Sequence, residues 1–262
     1  MIKNIKFFIN DNKESIKYGK IVKEDFYKNG FNIVDDNNYD LGVAIGGDGS
    51  FLRMIKDSNY NSEPCYIGIN TGHLGFLQEV KVNEHNKLIN EIKEGKYKIV
   101  KAIIQKILVK TNNEVKEFNS LNEILIRDKN LDLLKANIFV NNDLLENIAC
   151  DGIMISTPTG STAYNLSYNG AIIYPPLEVL QITPIGAIDN KRFNCLRMPV
   201  VIPSNMKIDV KPVNSEIKLS IDGPHTDYNN VESISCTAEE KIKCLKFSHY
   251  SFTQKINEKF LV

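Results

Sequence analysis

With 262 residues, 42% of them hydrophobic, the chain is long enough for one large or two small domains and a sizeable buried core. Its 32 Lys and Arg balance 32 Asp and Glu, so no bulk charge is available to hold nucleic acid or a membrane surface. No apolar run reaches bilayer length, MIKNIKFFIN is too short and too soon polar for a signal peptide, and the scattered Cys65, Cys150, Cys195, Cys236 and Cys244 contain no CxxC pair, which argues against a disulfide framework or zinc site and predicts reduced thiols in the cytoplasm.

The first hundred residues alternate in character. Residues 5–9 are a short apolar run, and residues 14–29 carry helical spacing at Ile16, Ile21, Val22 and Phe26, ended by Gly30. A brief strand is predicted over 31–34. Residues 41–45 form a continuous apolar run, as expected of a strand covered on both faces. A helix over 50–57, a buried strand over 65–69 and a helix over 82–94 closed by Gly95 complete an α/β domain with a parallel sheet and right-handed crossovers.

Near Lys101 the pattern changes. KAIIQKILVKT, EVKEFNSLNEILIRD, LKANIFVNND and LLENIACDGIMIST read as strand segments divided by Asn, Asp and Lys turns, and VVIPSNMKIDVKPV and EIKLSIDG continue them. This predicts a β-rich, antiparallel, sandwich-like C-terminal domain over 101–236. The α/β domain covers 1–100, and a tail over 237–262 with a last helix at 252–260 packs back on it. No repeat or low-complexity linker separates the two, so they are expected to pack closely and form a cleft.

The stretch LGVAIGGDGSFLRMI places Gly46, Gly47 and Gly49 between a buried strand and a helix. Residues without a Cβ permit positive φ and close approach of a ligand to the backbone, and a helix N-terminus presents amides to an anion. Asp48 is out of place in a simple phosphate cradle. A carboxylate there suggests a general base, or a ligand for the metal that neutralises phosphates. The loop is neither a Walker A sequence nor GxGxxG.

A second loop, NTGHLGFL, follows the next strand at the same carboxyl edge of the sheet, where open α/β sheets bind ligands. His73 reads as an exposed loop histidine rather than a proton carrier, and Phe76 either stacks on a ligand or plugs the core.

ACDGIMISTPTGSTAYNLSYNGAIIYPP packs hydroxyl, glycine and proline positions densely over 156–164, which suits a polyhydroxylated or phosphorylated ligand. A helix is expected to begin at Thr162 and run towards Gly170, with its amides aimed at the ligand. In SLNEILI, Asn122 and Glu123 offer an adjacent amide and carboxylate for an adenine edge or for ribose hydroxyls.

Together GGDG, NTGHLGFL, the Asn122–Glu123 pair, DGIMISTPTGSTAYNLS and the later IDG and His225 resemble the bacterial NAD kinases, in order and spacing, across nearly the whole chain. The resemblance implies phosphorylation of the adenosine 2′-hydroxyl of NAD by ATP or polyphosphate with Mg²⁺, giving NADP. It also implies a homodimer or homotetramer. Carried over by position, Asp48 accepts the proton, and Gly49 and Phe76 line the NAD pocket. Asn122 and Glu123 hold a ribose, and Asp151 and Thr159 contact the base or amide end. Thr162, Ala163, Tyr164, Asn165, Leu166 and Ser167 wall the adenine, with Tyr164 as the stacking ring. Gly186 lies near the ligand. Gly46, Gly47 and Gly49 meet the phosphate donor, as do Asp222 and His225.

Tyr168 and Asn169 stand where many family members have small residues and glycine. Ala149 stands where many have a basic residue reaching a neighbouring subunit's ligand, and GAIDNKRF resembles the Gram-positive-type form. GGDG-type loops also occur in phosphofructokinases and lipid kinases, and a nucleotide sensor without turnover is a further alternative. STPTGSTAYN and the Asn122–Glu123 pair argue against the other kinases, and the intact Asp48 loop argues against the sensor.

Overall fold

The computed structural model describes residues 2–72, 75–188 and 195–261. His73 and most of GAIDNKRF therefore lie outside the described residues. The chain runs β1 (Asn4–Ile9), α1 (Lys13–Lys28), β2 (Asn32–Ile33), β3 (Leu41–Gly46), α2 (Asp48–Asp57), β4 (Cys65–Asn70), β5 (Val80–Lys81), α3 (His85–Glu94) and β6 (Tyr97–Ile103). It continues through β7 (Gln105–Thr111), β8 (Val115–Ser120), β9 (Glu123–Asp128), β10 (Leu134–Val140), β11 (Asp143–Cys150), β12 (Gly152–Ser156), β13 (Val179–Ile185), β14 (Val200–Pro203), β15 (Ile208–Pro212), β16 (Ile217–Ile221), β17 (His225–Tyr228) and β18 (Val231–Thr237). It ends with β19 (Lys241–Phe247) and α4 (Phe252–Phe260). Two compact units result, Met1–Ala102 with Lys241–Val262, and Ile103–Glu240.

The first unit is α/β. Its sheet has the order β2-β1-β3-β4-β19-β6, with β5 added to β4, and β2, β1, β3, β4 and β19 pair in parallel. All six residues of β3 are buried, as the unbroken apolar run predicts for a strand covered on both faces. In α1 the face that packs is Ser15, Gly19, Val22 and Phe26, whereas Ile16 and Ile21 are exposed. The small residues let the helix sit close: a Cβ on Gly19 would fall 2.6 Å from Ile9 Cδ1. Of the apolar positions that carry the helical spacing, Val22 and Phe26 therefore pack and Ile16 and Ile21 do not. The helix is N-capped by Asn12, and α3 stops at Gly95 in the left-handed conformation, φ 67°.

The second unit is a sandwich of two antiparallel sheets, β11-β10-β15-β18-β7-β8 and β14-β13-β12-β9-β16-β17. Their inner faces share one core, with Ile107, Ile138, Val210 and Ile234 from one sheet and Ile124, Ile153, Leu180 and Leu219 from the other. Three segments that read as continuous strands are each divided. The chain changes sheet between β6 and β7, between β8 and β9 at Leu121–Asn122, and between β11 and β12 at Asp151. Alternation of side chains runs through such corners, so the sequence period does not register them. The cysteines are free thiols. No helix among the described residues is long and apolar enough to cross a membrane.

Candidate functional site

In the first unit, the site residues gather where β3 and β4 end. Gly46 has φ +147°, a region side chains rarely adopt, and a Cβ there would meet Ser50 Oγ at 2.2 Å. Of the three glycines, Gly46 alone uses the positive φ that lacking a Cβ permits. Gly47 is the extended N-cap of α2, and open space lies around both it and Gly49. Because the cap has no side chain, no side-chain bond competes for the amides of Asp48 and Gly49, while the Ser50 amide turns back to the Gly47 carbonyl at 2.9 Å.

Asp48 opens α2, and its carboxylate is held by the second loop. Oδ2 accepts from the Phe76 amide at 2.8 Å, and Oδ1 accepts from the Leu77 and Gln78 amides at 3.1 and 3.3 Å. A carboxylate offers about four lone-pair sites, so one remains on Oδ2. Gly75 packs against the same group, and a Cβ on it would fall 1.8 Å from Oδ1. The Gln78 carboxamide, fully buried, donates to the Gly47 carbonyl at 2.6 Å and ties the two loops together. Phe76 is a packing residue as well as a loop residue, stacked on Phe260 of α4 at 5.4 Å and tilted against Phe252 at 6.2 Å.

In the second unit a second aspartate does the same work. Asp222, with φ +47°, accepts from Ser120 Oγ at 2.7 Å and from the amides of Leu121, Asn122 and Glu123 at 2.8, 2.8 and 3.2 Å. Three of these donors converge on Oδ1 and one, the Leu121 amide, on Oδ2. The Asp222 carboxylate thus holds the corner between β8 and β9. His225, at the start of β17, is exposed.

The corner so held carries Asn122 and Glu123, both buried, yet Asn122 Oδ1 and Glu123 Oε2 have no hydrogen-bond partner among the described residues. Buried polar atoms are normally paired, so two orphans side by side mark a place where a ligand's polar groups belong. Burial first, and then the Asp222 charge, pushes the Glu123 carboxyl up to about 8. Glu123 is therefore an acid at neutral pH, able to donate as well as accept.

The STPTG turn is built onto this corner. Thr157 donates its amide to the Asn122 carbonyl at 2.9 Å and its hydroxyl to the Leu121 carbonyl at 2.5 Å. Thr159 is half-buried on the turn. The helix expected from Thr162 is absent. Two short 3₁₀ turns, Gly160–Thr162 and Tyr164–Tyr168, stand in its place, separated by Ala163 at φ −97°, ψ −132°. Tertiary bonds outcompete the helix here: Asn165 is fully buried and its Oδ1 accepts from Thr183 at 2.6 Å. The Asn165 Nδ2 is a further orphan. Leu166 is half-buried, and Ser167 is exposed.

Tyr164 is exposed and edge-on to Tyr168, with ring centroids 5.0 Å apart and hydroxyls 2.9 Å apart, and Arg127 donates to the Tyr168 hydroxyl at 3.3 Å. Asn169 ends the turn at φ 60°, a left-handed conformation that asparagine tolerates. Asp151 and Gly186 are brought together: a Cβ on Gly186 would fall 2.3 Å from Asp151 Oδ2.

Sequence reasoning missed Gly75, Gln78 and the clamping role of Asp222. A polar pair, Gln78–Glu79, set between Leu77 and Val80 was the available signal for a buried polar contact.

Two family descriptions match the chain, ATP-NAD kinase N-terminal domain over residues 2–97 and ATP-NAD kinase C-terminal domain over residues 121–241. An NAD kinase of Finegoldia magna is 33% identical over a 269-residue alignment that spans 99% of this chain and 98% of that protein. An NAD kinase of Staphylococcus carnosus is 34% identical over 234 residues, 87% of each. Among solved structures, yeast NADH kinase complexed with NADH superposes with a TM-score of 0.87 at 22% identity, over 98% of this chain and 87% of that one. An NAD kinase from Archaeoglobus fulgidus in complex with ATP gives 0.73 at 21% identity, over 99% and 97%. At those identities the structural likeness is one of fold.

Proposed function

The chain belongs to the NAD kinase family, and from that premise we propose that it phosphorylates NAD on the adenosine 2′-hydroxyl with ATP as donor, giving NADP. The observation that carries the residue assignment is the Asp48 carboxylate, fixed by three amides with one acceptor position left on Oδ2. A ribose hydroxyl is a poor nucleophile at neutral pH, and a fixed carboxylate can take its proton as the phosphoryl group arrives. The start of α2, where no side chain caps the first amides, offers donors and partial positive charge to the phosphates of the donor.

Asn122 and Glu123 are assigned to the ribose hydroxyls, since their orphaned oxygens need donors and the protonated Glu123 can also give one. Asp151, Thr159 and Gly186 are assigned to the base or amide end, with the 162–167 turn as the adenine wall and Tyr164 as its ring. His225 is assigned to the phosphate donor. Mg²⁺ enters this reading with the nucleotide, as MgATP. A homodimer or homotetramer is part of the same proposal, and light scattering across a dilution series tests it.

The test of the function is NADP formation from NAD, ATP and Mg²⁺, followed with an NADP-specific dehydrogenase. Polyphosphate in place of ATP reports the donor range. Binding of NAD with no NADP formed, or phosphorylation of fructose 6-phosphate or a lipid instead, would overturn it.

A further inference from the structure

We propose that Lys255, on the C-terminal helix α4, is a positioning residue for the reaction, holding Asp48 in place through Gln78; this rests on the reading of Asp48 as the proton acceptor.

Lys255 is a lysine almost wholly inside the protein, 7% exposed. An ammonium is costly to bury unless it is paired and hydrogen-bonded. Its acidic neighbour is Glu79, shared with Lys246 of β19, but both contacts to Glu79 Oε2 are long, 3.5 Å from Lys255 and 3.4 Å from Lys246. That oxygen has no hydrogen-bond partner among the described residues. The short, directional bond of Lys255 goes elsewhere, to the Gln78 carbonyl at 2.6 Å.

Gln78 relays that bond to the reaction loop in two ways. Its amide donates to Asp48 Oδ1 at 3.3 Å, and its carboxamide donates to the Gly47 carbonyl at 2.6 Å. The same helix grips the loop a second time through Phe252 and Phe260 against Phe76, whose amide donates to Asp48 Oδ2. Residues 76–78 lie between β4 and β5 and belong to no strand, so their amides point at Asp48 only if something outside the loop holds them. The helix does so, at both ends of the three-amide cradle.

The electrostatics run in the same direction. Burial, and then Lys246, pulls the Lys255 ammonium down to about 7, while Glu79 and Asp48 pull it back up. The Tyr250 ring lies 5.8 Å from its Nζ. Asp48 is thus one of the charges that hold the Lys255 ammonium.

The decisive experiment is a double-mutant cycle on kcat between Lys255→Met and Asp48→Asn, with KM for NAD and ATP and thermal unfolding measured on every protein. A misplaced reacting group costs up to about 100-fold. Lys255→Met is expected to lower kcat by about 10- to 100-fold with both KM values held within about twofold. In the Asp48→Asn background it is expected to change kcat by less than about twofold, the limit of ordinary additivity. An unchanged kcat in Lys255→Met, a loss confined to KM, or an equal loss in both backgrounds would overturn the proposal. Wild-type kcat in Asp48→Asn alone would overturn the reading of Asp48, and the proposal with it, so the two failures are distinguishable.

Should Lys255→Met not fold because it strands the buried Glu79 carboxylate, the paired variant Lys255→Met/Glu79→Gln removes that charge as well and interrupts the same relay, the bond from Lys255 to the Gln78 carbonyl. It is expected to show the same non-additivity with Asp48→Asn, and additivity there would equally overturn the proposal.

Discussion

Gly75 lies against the Asp48 carboxylate so closely that a methyl group on it would occupy the carboxylate's own position, 1.8 Å from Oδ1 and 2.1 Å from Cγ. Asp48 is short and bonded to three amides, so it cannot swing aside cheaply. Gly75→Ala is therefore expected to lower kcat by about 100-fold or more, as misplacement of a reacting group does, while NAD affinity measured by calorimetry changes little. Wild-type turnover in that variant would show that the packing is not needed for the reaction.

Asp48→Asn should lose turnover by about 10²–10⁴-fold, the usual contribution of a general base. The amide cradle adds a second consequence. Asparagine offers one acceptor oxygen where two now serve three N–H donors, and its NH₂ would face one of them. A thermal shift is expected with the loss of activity, corresponding to about 1–3 kcal/mol. Turnover lost with no change in stability would mean that the cradle rearranges freely.

What the sequence made legible is the part governed by local pattern. The strand–GGDG–helix unit, the buried β3 and the final helix at 252–260 follow from periodicity and breakers. The corners at Leu121–Asn122 and Asp151 were hidden, because strand alternation carries through a change of sheet. The helix expected after Thr162 failed because Asn165 is drawn inward by Thr183, a contact 18 residues away. Lys255 falls on the buried face of an amphipathic helix, three residues after Phe252, and a charge in that position was the signal for its partner in the loop before β5.

Asp222→Asn tests the corner that carries the assigned ribose-binding pair. Asparagine tolerates the φ of +47° at this position, so the backbone should hold. The single amide oxygen can serve Ser120, Asn122 and Glu123, which now share Oδ1, but the NH₂ would face the Leu121 amide. Leaving that donor unpaired costs about 1–3 kcal/mol, and a looser corner should raise KM for NAD more than it lowers kcat. Denaturant unfolding and steady-state kinetics read the two effects, and unchanged values in both would remove Asp222 from the clamp.

Glu123→Gln should reveal the buried acid through the pH dependence of stability. The carboxyl stands at about 8 in the folded chain against the ordinary 4.5 of a glutamate, so between those limits the folded state binds the extra proton. Stability falls with rising pH wherever the folded state holds more protons than the unfolded state. Glu123 therefore destabilises the protein progressively from about pH 4.5 to about pH 8, and fully above that. Glutamine resembles the protonated acid and carries no such cost. The variant's stability relative to wild type should climb across this window and level off above it. Parallel denaturant titrations at several pH values read that difference directly, and a difference that stays constant with pH would show that Glu123 is already ionised in the folded protein at neutral pH.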